Sequence, residues 1–207
     1  MNSLHHIIDK YNICSWNIDL KQKGPYYLSA GRNKCLPNLF NELGFKIGAE
    51  IGVARGTWAK QILKRMPQLK LYLVDLWEPY AEYLDFPDEK VLSFYPDVKE
   101  NVKGYNVEFI KEWSHIAAEQ FEDESLDFVY IDANHIYEYV VQDLACWSKK
   151  VRKGGIVCGH DYNDFSKHKN HCYMQVVEAV NGWCAAKDID HLFVLTNNPG
   201  NTWMYVK

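Results

Sequence analysis

The chain has 207 residues, 47% hydrophobic and 24% charged, with a formal net charge of −4. These are the proportions of an ordinary globular protein with one substantial core, and they exclude a disordered or fibrous chain. The mild negative balance gives no reason to expect a nucleic-acid partner. No apolar run approaches the length of a membrane span, and Met1 to His6 lack a signal pattern, so the expected location is cytoplasmic with no membrane partner.

In chain order, His5 to Tyr11 reads as a short helix, and Tyr26-Tyr27-Leu28 with Gly31 as loop. Residues 1–34 are expected to cap the sheet's C-terminal edge, where substrate selectivity could reside. An arm used for packing or for contact with a second copy is an equal alternative. Leu36 to Leu43, stopped by Gly44, is a lead-in helix. The chain is therefore divided into an N-terminal part, 1–45, and a main domain, 46–207.

That domain opens with a strand from Ile47 to Val53, a loop holding Gly52 and Gly56, and a helix from Thr57 to Met66 stopped by Pro67. Leu69 to Leu76 is the next strand. Trp77 to Glu89 is a polar–aromatic connection long enough to be functional. A helix follows from about Asp88 to Val102, interrupted at Pro96. Val107 to Lys111 is a strand, and Ser114 opens a helix to Phe121. Leu126 to Asp132 is the strongest apolar strand, followed by a helix from Tyr137 to about Val151 with apolar residues at helical spacing. Gly154-Gly155 lead into a strand, Ile156 to Gly159. A helix from Met174 to Ala186, a strand His191 to Thr196, a Pro199-Gly200 turn and a strand Thr202 to Val206 complete the pattern. Alternating strand and helix predicts a parallel, helix-covered sheet of the α/β class. The final turn is too short for a parallel crossover, so the last two strands form an antiparallel hairpin.

Six cysteines (14, 35, 146, 158, 172 and 184) form no C-x-x-C pair, which favours free, mostly buried thiols over a zinc or disulfide framework. His168 and His171 beside Cys172 read as a solvated loop in preference to a metal site.

Ligands of open parallel sheets bind at the carboxyl ends of the strands. Glu50, Gly52, Asp75, Ser114, Asp132, His135, His160 and Asp161 all fall there. Two glycines between strand and helix allow close backbone approach, and an acid ending the next strand suits ribose hydroxyls. Together they point to a nucleoside-containing cofactor. Glu50 and Asp75 are acceptors, suited to a cationic amino group or to hydroxyls; a buried paired or capping role is the plainer reading of Glu50. Ser114, with Trp113 beside it, suits an adenine edge or a simple helix cap. Asp132 and Asp161, at adjacent strand tips, need a compensating cation, a shared proton or separation. Oxygen ligands of this kind fit Mg²⁺, while a histidine ligand at His160 shifts the preference toward Mn²⁺ or a transition metal; Asn163 is an alternative ligand. His135, at a helix start, is placed to take a proton from a hydroxyl, with a structural cap as the alternative.

The set Glu50-Ile51-Gly52-Val53-Ala54-Arg55-Gly56, Leu73-Val74-Asp75, Asp127 to His135 with Tyr137 and Asp143-Leu144, and Lys153-Gly154-Gly155 leading to His160-Asp161-Tyr162 resembles the class I S-adenosylmethionine-dependent methyltransferases. The likeness is to the subgroup of macrolide-sugar O-methyltransferases and cephalosporin-hydroxylase-like proteins, over residues 46–165 and the terminal strands. It implies a Rossmann-like seven-stranded, mostly parallel sheet with helices on both faces and a C-terminal antiparallel hairpin. S-adenosyl-L-methionine is then the cofactor, bound by Glu50, Gly52, Gly56, Asp75, Trp113 and Ser114. A divalent ion (Mg or Mn) on Asp132, Asp161 and His160 and a base at His135 are implied too, although those relatives often carry an acid at the position of His160. The acceptor is then a small molecule or glycan, with Trp77 to Tyr83 and Tyr26-Tyr27 as an aromatic platform. The alternatives are a nicotinamide-dependent oxidoreductase, for which Ala54 stands where a second glycine is wanted, and a methyltransferase-like binding protein without turnover.

Overall fold

A computed structural model describes residues 2–11, 22–164, 173–197 and 200–207. The helices are α1 (Ser3–Lys10), α2 (Arg32–Glu42), α3 (Thr57–Arg65), α4 (Asp88–Asn101), α5 (Ser114–Ala118), α6 (Tyr137–Trp147) and α7 (Val176–Ala186), with a 3-10 turn at Ser148–Lys150. The strands are β1 (Tyr26–Leu28), β2 (Ile47–Ile51), β3 (Lys70–Asp75), β4 (Val107–Lys111), β5 (Leu126–Ile131), β6 (Val151–Gly159), β7 (Phe193–Leu195) and β8 (Thr202–Val206).

All eight strands join one sheet in the order β1-β7-β8-β6-β5-β2-β3-β4. Only β8 runs against the others, pairing antiparallel with both β6 and β7. Successive side chains of a strand leave opposite faces, and the core divides accordingly. Phe128 and Tyr130 of β5 pack with α1, α2 and α3, while Val129 and Ile131 pack with α6 and α7. The strand order reverses between β2 and β5, so the crevice between their tips is where an open α/β sheet takes a ligand.

Three local readings change. Tyr26–Leu28, expected as loop, is an eighth strand on the sheet edge, parallel to β7. Its inward residues are buried and Tyr27 between them is 54% exposed. A three-residue alternation beside Pro25 carries too little pattern to be recognised as a strand. Helix α4 runs through Pro96 without a break. The carbonyl that the proline ring leaves unpaired belongs to Leu92, a residue 58% exposed, where water can serve it. Helix α2 begins at Arg32, four residues earlier than its apolar pattern suggests, which brings Arg32 to the sheet's C-terminal rim.

Four free cysteines are described: Cys158 and Cys184 are buried, Cys35 and Cys146 half-buried. Cys14 and the stretch with His168, His171 and Cys172 lie outside the described residues.

Candidate active site

The β2–α3 loop is held by β3. Asp75 Oδ2 accepts from the backbone N–H groups of Val53 and Ala54 at 2.8 and 2.9 Å, and Oδ1 accepts from that of Trp77 at 2.8 Å. Burial raises its pKa and these N–H groups oppose the rise. Asp75 therefore clamps the loop as well as facing the crevice. Gly52 has φ 81°, and a Cβ there would lie 2.2 Å from the Asp132 carbonyl oxygen and 2.4 Å from Ala133 Cα. Gly52 is thus demanded by the approach of the β5 exit, not only by a ligand. Gly56 (φ 72°) precedes α3, and a Cβ on it would meet the Val98 side chain of α4 at 2.6 Å. Ala54, Trp77 and Asp161 also have positive φ, and all three stand on this rim.

Two adjoining cavities open here. The first runs from Gly52 and Asp75, beneath Tyr80 and Trp113, to Ser114 and Asp143. Trp113 meets the Tyr80 ring edge-on at 4.9 Å. Ser114 donates from Oγ to Asp143 Oδ1 and accepts from Trp147 Nε1 at 2.8 Å. Its hydroxyl is therefore tied to α6, while the residue lines the cavity. Burial, opposed by the Ser114 bond, pushes the Asp143 carboxyl up to about 7.

The second cavity shares Gly52, Ala54, Asp132 and Ala133 with the first and extends to Glu50, Arg32 and the acid pair. Glu50 pairs in register with Tyr130, whose hydroxyl receives Arg32 Nη1. Glu50 is 2% exposed and, among the described residues, its Oε2 has no hydrogen-bond partner. Burial, with the charge of Asp132, raises its pKa well above the usual carboxylate range. A buried acceptor in need of a partner suits the amino group of an amino-acid moiety.

Asp132, His135 and Asp161 each bring a ligand atom within 4.8 Å of the others. His135 Nε2 is 3.2 Å from Asp161 Oδ2 and 3.6 Å from Asp132 Oδ1, and among the described residues it makes no hydrogen bond. Its Nδ1 is held by Asp85 Oδ2 at 2.9 Å. A carboxylate on one imidazole nitrogen is the usual support when the other nitrogen serves a metal or a proton. Burial works to lower the His135 pKa, but the neighbouring Asp132 and Asp85 carboxylates outweigh it and raise it to about 10. Burial works to raise Asp132, and His135, His160 and Arg32 pull it below its ordinary value. His160 Nδ1 lies 3.3 Å from Asp161 Oδ1 and 3.8 Å from Asp132 Oδ2, and Arg32 Nη1 is 3.5 Å from Asp132 Oδ2.

The fold thus gathers Glu50, Asp132, His135, His160 and Asp161 in one cavity and Trp113 and Ser114 in the other, with Asp75 beside Gly52. Helix start Gly56 lies outside the residues lining either cavity. Asn163, considered as a ligand, instead braces the β7–β8 turn by accepting from the Asn201 N–H at 3.0 Å. Of the expected aromatic platform, Trp77 and Tyr26 are core residues, while Tyr80 and Tyr83 face the crevice. Two residues near the chemistry were not singled out from the sequence, and a third, Asp143, was quoted in the family-like motif without a role. Arg32 sat in a stretch of irregular pattern and Asp85 in a connection without periodicity.

The family model for the methyltransferase domain matches residues 49–162, more than half of the chain. An uncharacterized protein of Acanthamoeba polyphaga mimivirus is 35% identical over 72 residues, a stretch that spans 33% of each chain. Among solved structures, the O-methyltransferase from Bacillus cereus in complex with SAH aligns with TM-score 0.65 at 15% identity, over 100% of this chain and 91% of that one. A putative caffeoyl-CoA O-methyltransferase from Staphylococcus aureus aligns with TM-score 0.64 at 13% identity, over 98% and 91%. With the rim glycines, the clamped strand-end acid and the matched domain all on the same sheet edge, the chain belongs to the methyltransferase-domain family, among the class I S-adenosylmethionine-dependent enzymes.

Proposed function

We propose that the protein transfers a methyl group from S-adenosylmethionine to a hydroxyl oxygen of a small molecule, with a divalent ion assisting. The observation that carries this reading is the position of Asp132. It stands in the wall common to both cavities, between the clamped glycine loop and the His135–Asp161 cluster. The cofactor would lie along the first cavity, with Asp75 toward the ribose and Glu50 toward the amino group. The SAH-bound O-methyltransferase of Bacillus cereus and the putative O-methyltransferase of Klebsiella pneumoniae, both similar in fold, support the same reaction class.

The donor set fits an ion. Asp132 and Asp161 offer oxygens, and a buried histidine nitrogen that makes no hydrogen bond among the described residues stands beside them. We assign the ion to Asp132 and Asp161, with His160 at its edge. When bound, such an ion orients adjacent hydroxyls and lowers their pKa. The sulfonium methyl is already activated, so the chain's own task is to align the acceptor oxygen and remove its proton. His135, oriented through Nδ1 by Asp85, presents Nε2 for that proton. Asp132, one of the two carboxylates that raise its pKa, would have to be neutralised by the ion before Nε2 can accept, so the base and metal roles stand together. The Tyr83 ring, which lines both cavities, and an ion suited to adjacent hydroxyls support a sugar or glycan acceptor.

The test is methyl transfer from labelled S-adenosylmethionine to a panel of glycosides, nucleotide sugars and catechol, before and after EDTA with Mg²⁺ or Mn²⁺ restored. Transfer that requires the ion is expected. Turnover unchanged in EDTA would remove the metal, and tight binding of NAD(H) with none of S-adenosylmethionine would replace the whole reading.

A further inference from the structure

The second cavity holds, besides its acid cluster, two cations that the methyl-transfer reading leaves without a task. Arg55, in the glycine loop, and Lys90, in the first turn of α4, both line it, and neither lines the first cavity. Both are exposed, so they stand at its mouth. Each is supported by an aromatic ring. Lys90 Nζ lies 4.0 Å from the centre of the Phe86 ring, and Arg55 Cζ lies 5.2 Å from that of Phe94. The two rings meet edge-on at 5.2 Å, which makes the supports neighbours. The loop is itself fastened to α4, because Asn101 Nδ2 donates to the Arg55 carbonyl at 2.9 Å. Among the described residues neither cation forms an ion pair, and Asp88 and Glu89 beside Lys90 do not line the cavity. The cavity's own acids are engaged elsewhere, Asp132 with Arg32 and both Asp85 and Asp161 with His135. A cation resting on a ring face keeps its outward side for another partner, and guanidinium N–H groups match phosphoryl oxygens in pairs.

Resting on the methyl-transfer reading above, we propose that the acceptor is a phosphorylated sugar, its phosphate bound by Arg55 and Lys90 while the hydroxyl to be methylated lies at Asp132 and His135. Two cations match a phosphate monoester, which carries a charge of about −2 near neutral pH. The carboxylate of the cofactor's amino-acid end is the other anion that could reach this cavity, and its single charge calls for one cation. The cations come from the glycine loop and α4, and the acids from the exits of β5 and β6, so one acceptor can be held at both walls.

The test is calorimetric titration of the full chain, saturated with S-adenosylhomocysteine, with glucose 1-phosphate, glucose and inorganic phosphate at one fixed salt concentration. The wild type is expected to bind glucose 1-phosphate at least about tenfold more tightly than glucose, as charge-assisted hydrogen bonds require. Arg55→Gln and Lys90→Gln should each weaken glucose 1-phosphate and inorganic phosphate by about fivefold or more, and Arg55→Lys should restore part of the loss. Lys99 is the control, a cation on the Tyr95 ring of the same helix that lines neither cavity. Lys99→Gln should change phosphate affinity by about twofold or less, the remainder of a screened field. Affinity for S-adenosylhomocysteine should stay within about threefold in every variant, since exposed charges act little on a distant site. Neither phosphate compound binding, no preference over glucose, or an equal loss in Lys99→Gln would overturn the proposal while leaving methyl transfer intact. Weaker S-adenosylhomocysteine with unchanged phosphate affinity in the Arg55 and Lys90 variants would assign the pair to the cofactor's carboxylate and overturn it too. Failure of the wild type to bind S-adenosylhomocysteine would overturn the methyl-transfer reading, and the acceptor with it.

Discussion

Asp132 meets His135, His160 and Arg32 while its backbone carbonyl closes against Gly52, so two separate requirements converge on adjacent atoms. They can be separated by substitution. Asp132→Ala leaves the backbone contact in place and is expected to abolish ion-dependent transfer while S-adenosylhomocysteine affinity stays within about threefold, as the proposed assignment of its side chain to the ion and of Asp75 and Glu50 to the cofactor requires. Gly52→Ala acts through the backbone instead. Its methyl would meet the Asp132 carbonyl in a left-handed conformation, and we expect a loss of stability on the order of 1–3 kcal/mol in urea denaturation together with loss of nucleoside binding. His135→Gln should lower the rate by about 10²–10⁴ if the ring takes the proton; an effect below about tenfold would return His135 to a structural role. Asp143 adds a pH signature. With its folded pKa near 7 and an unfolded value near 3.9, the folded chain holds a proton that the unfolded chain has released between about pH 4 and 7. Stability from this group is therefore full below that window and lost as the pH rises through it. The melting temperature of the wild type relative to Asp143→Asn should fall by at least about 2 °C between pH 5 and pH 8.

The connection from Trp77 to Pro87 has little periodicity, yet it crosses the crevice under several ties. Asn134 Nδ2 donates to the Glu82 carbonyl at 2.9 Å and the Tyr80 hydroxyl at 3.3 Å, and Asp85 reaches His135. Tyr173, beyond β6, also donates to Asp85, so elements far apart in sequence fix one imidazole. Asn134→Ala should release the middle of this connection, costing about 1 kcal/mol of stability and speeding amide exchange at residues 80–85 in the uncomplexed protein. Unchanged exchange there would mean that the aromatic packing of Tyr80 and Tyr83 suffices. The sequence marked this segment as functional by its length and aromatic content. It could not identify Asp85, because nothing in a loop's residue order says which side chain will face a histidine 50 positions away.

At the scale of the whole molecule, the stretch before residue 46 belongs to the same sheet and core as the domain that follows. Leu28 of β1 is 2% exposed, and Leu36, Leu39 and Phe40 of α2 join the cluster containing Phe128 and Tyr130. Leu28→Ala should accordingly cost about 2–5 kcal/mol, as for any large buried side chain replaced by alanine. A cost below about 1 kcal/mol in chemical denaturation would mean that this edge is dispensable.

What the sequence by itself determined was local and periodic: the alternation of strands and helices, the antiparallel last pair forced by a short turn, and the collection of Glu50, Asp75, Asp132 and Asp161 at strand ends. Those follow from hydrogen-bonding geometry and burial within a few residues, which residue order encodes directly. Only the tertiary structure decided that Arg32 would enter the acid cluster, that Asp85 would hold His135, that Ser114 would be spent on Asp143, and that Trp77 would be core. Each of these depends on the pairing of side chains from elements brought together by the sheet order, and the free energy of such a contact belongs to the pair and not to either residue alone.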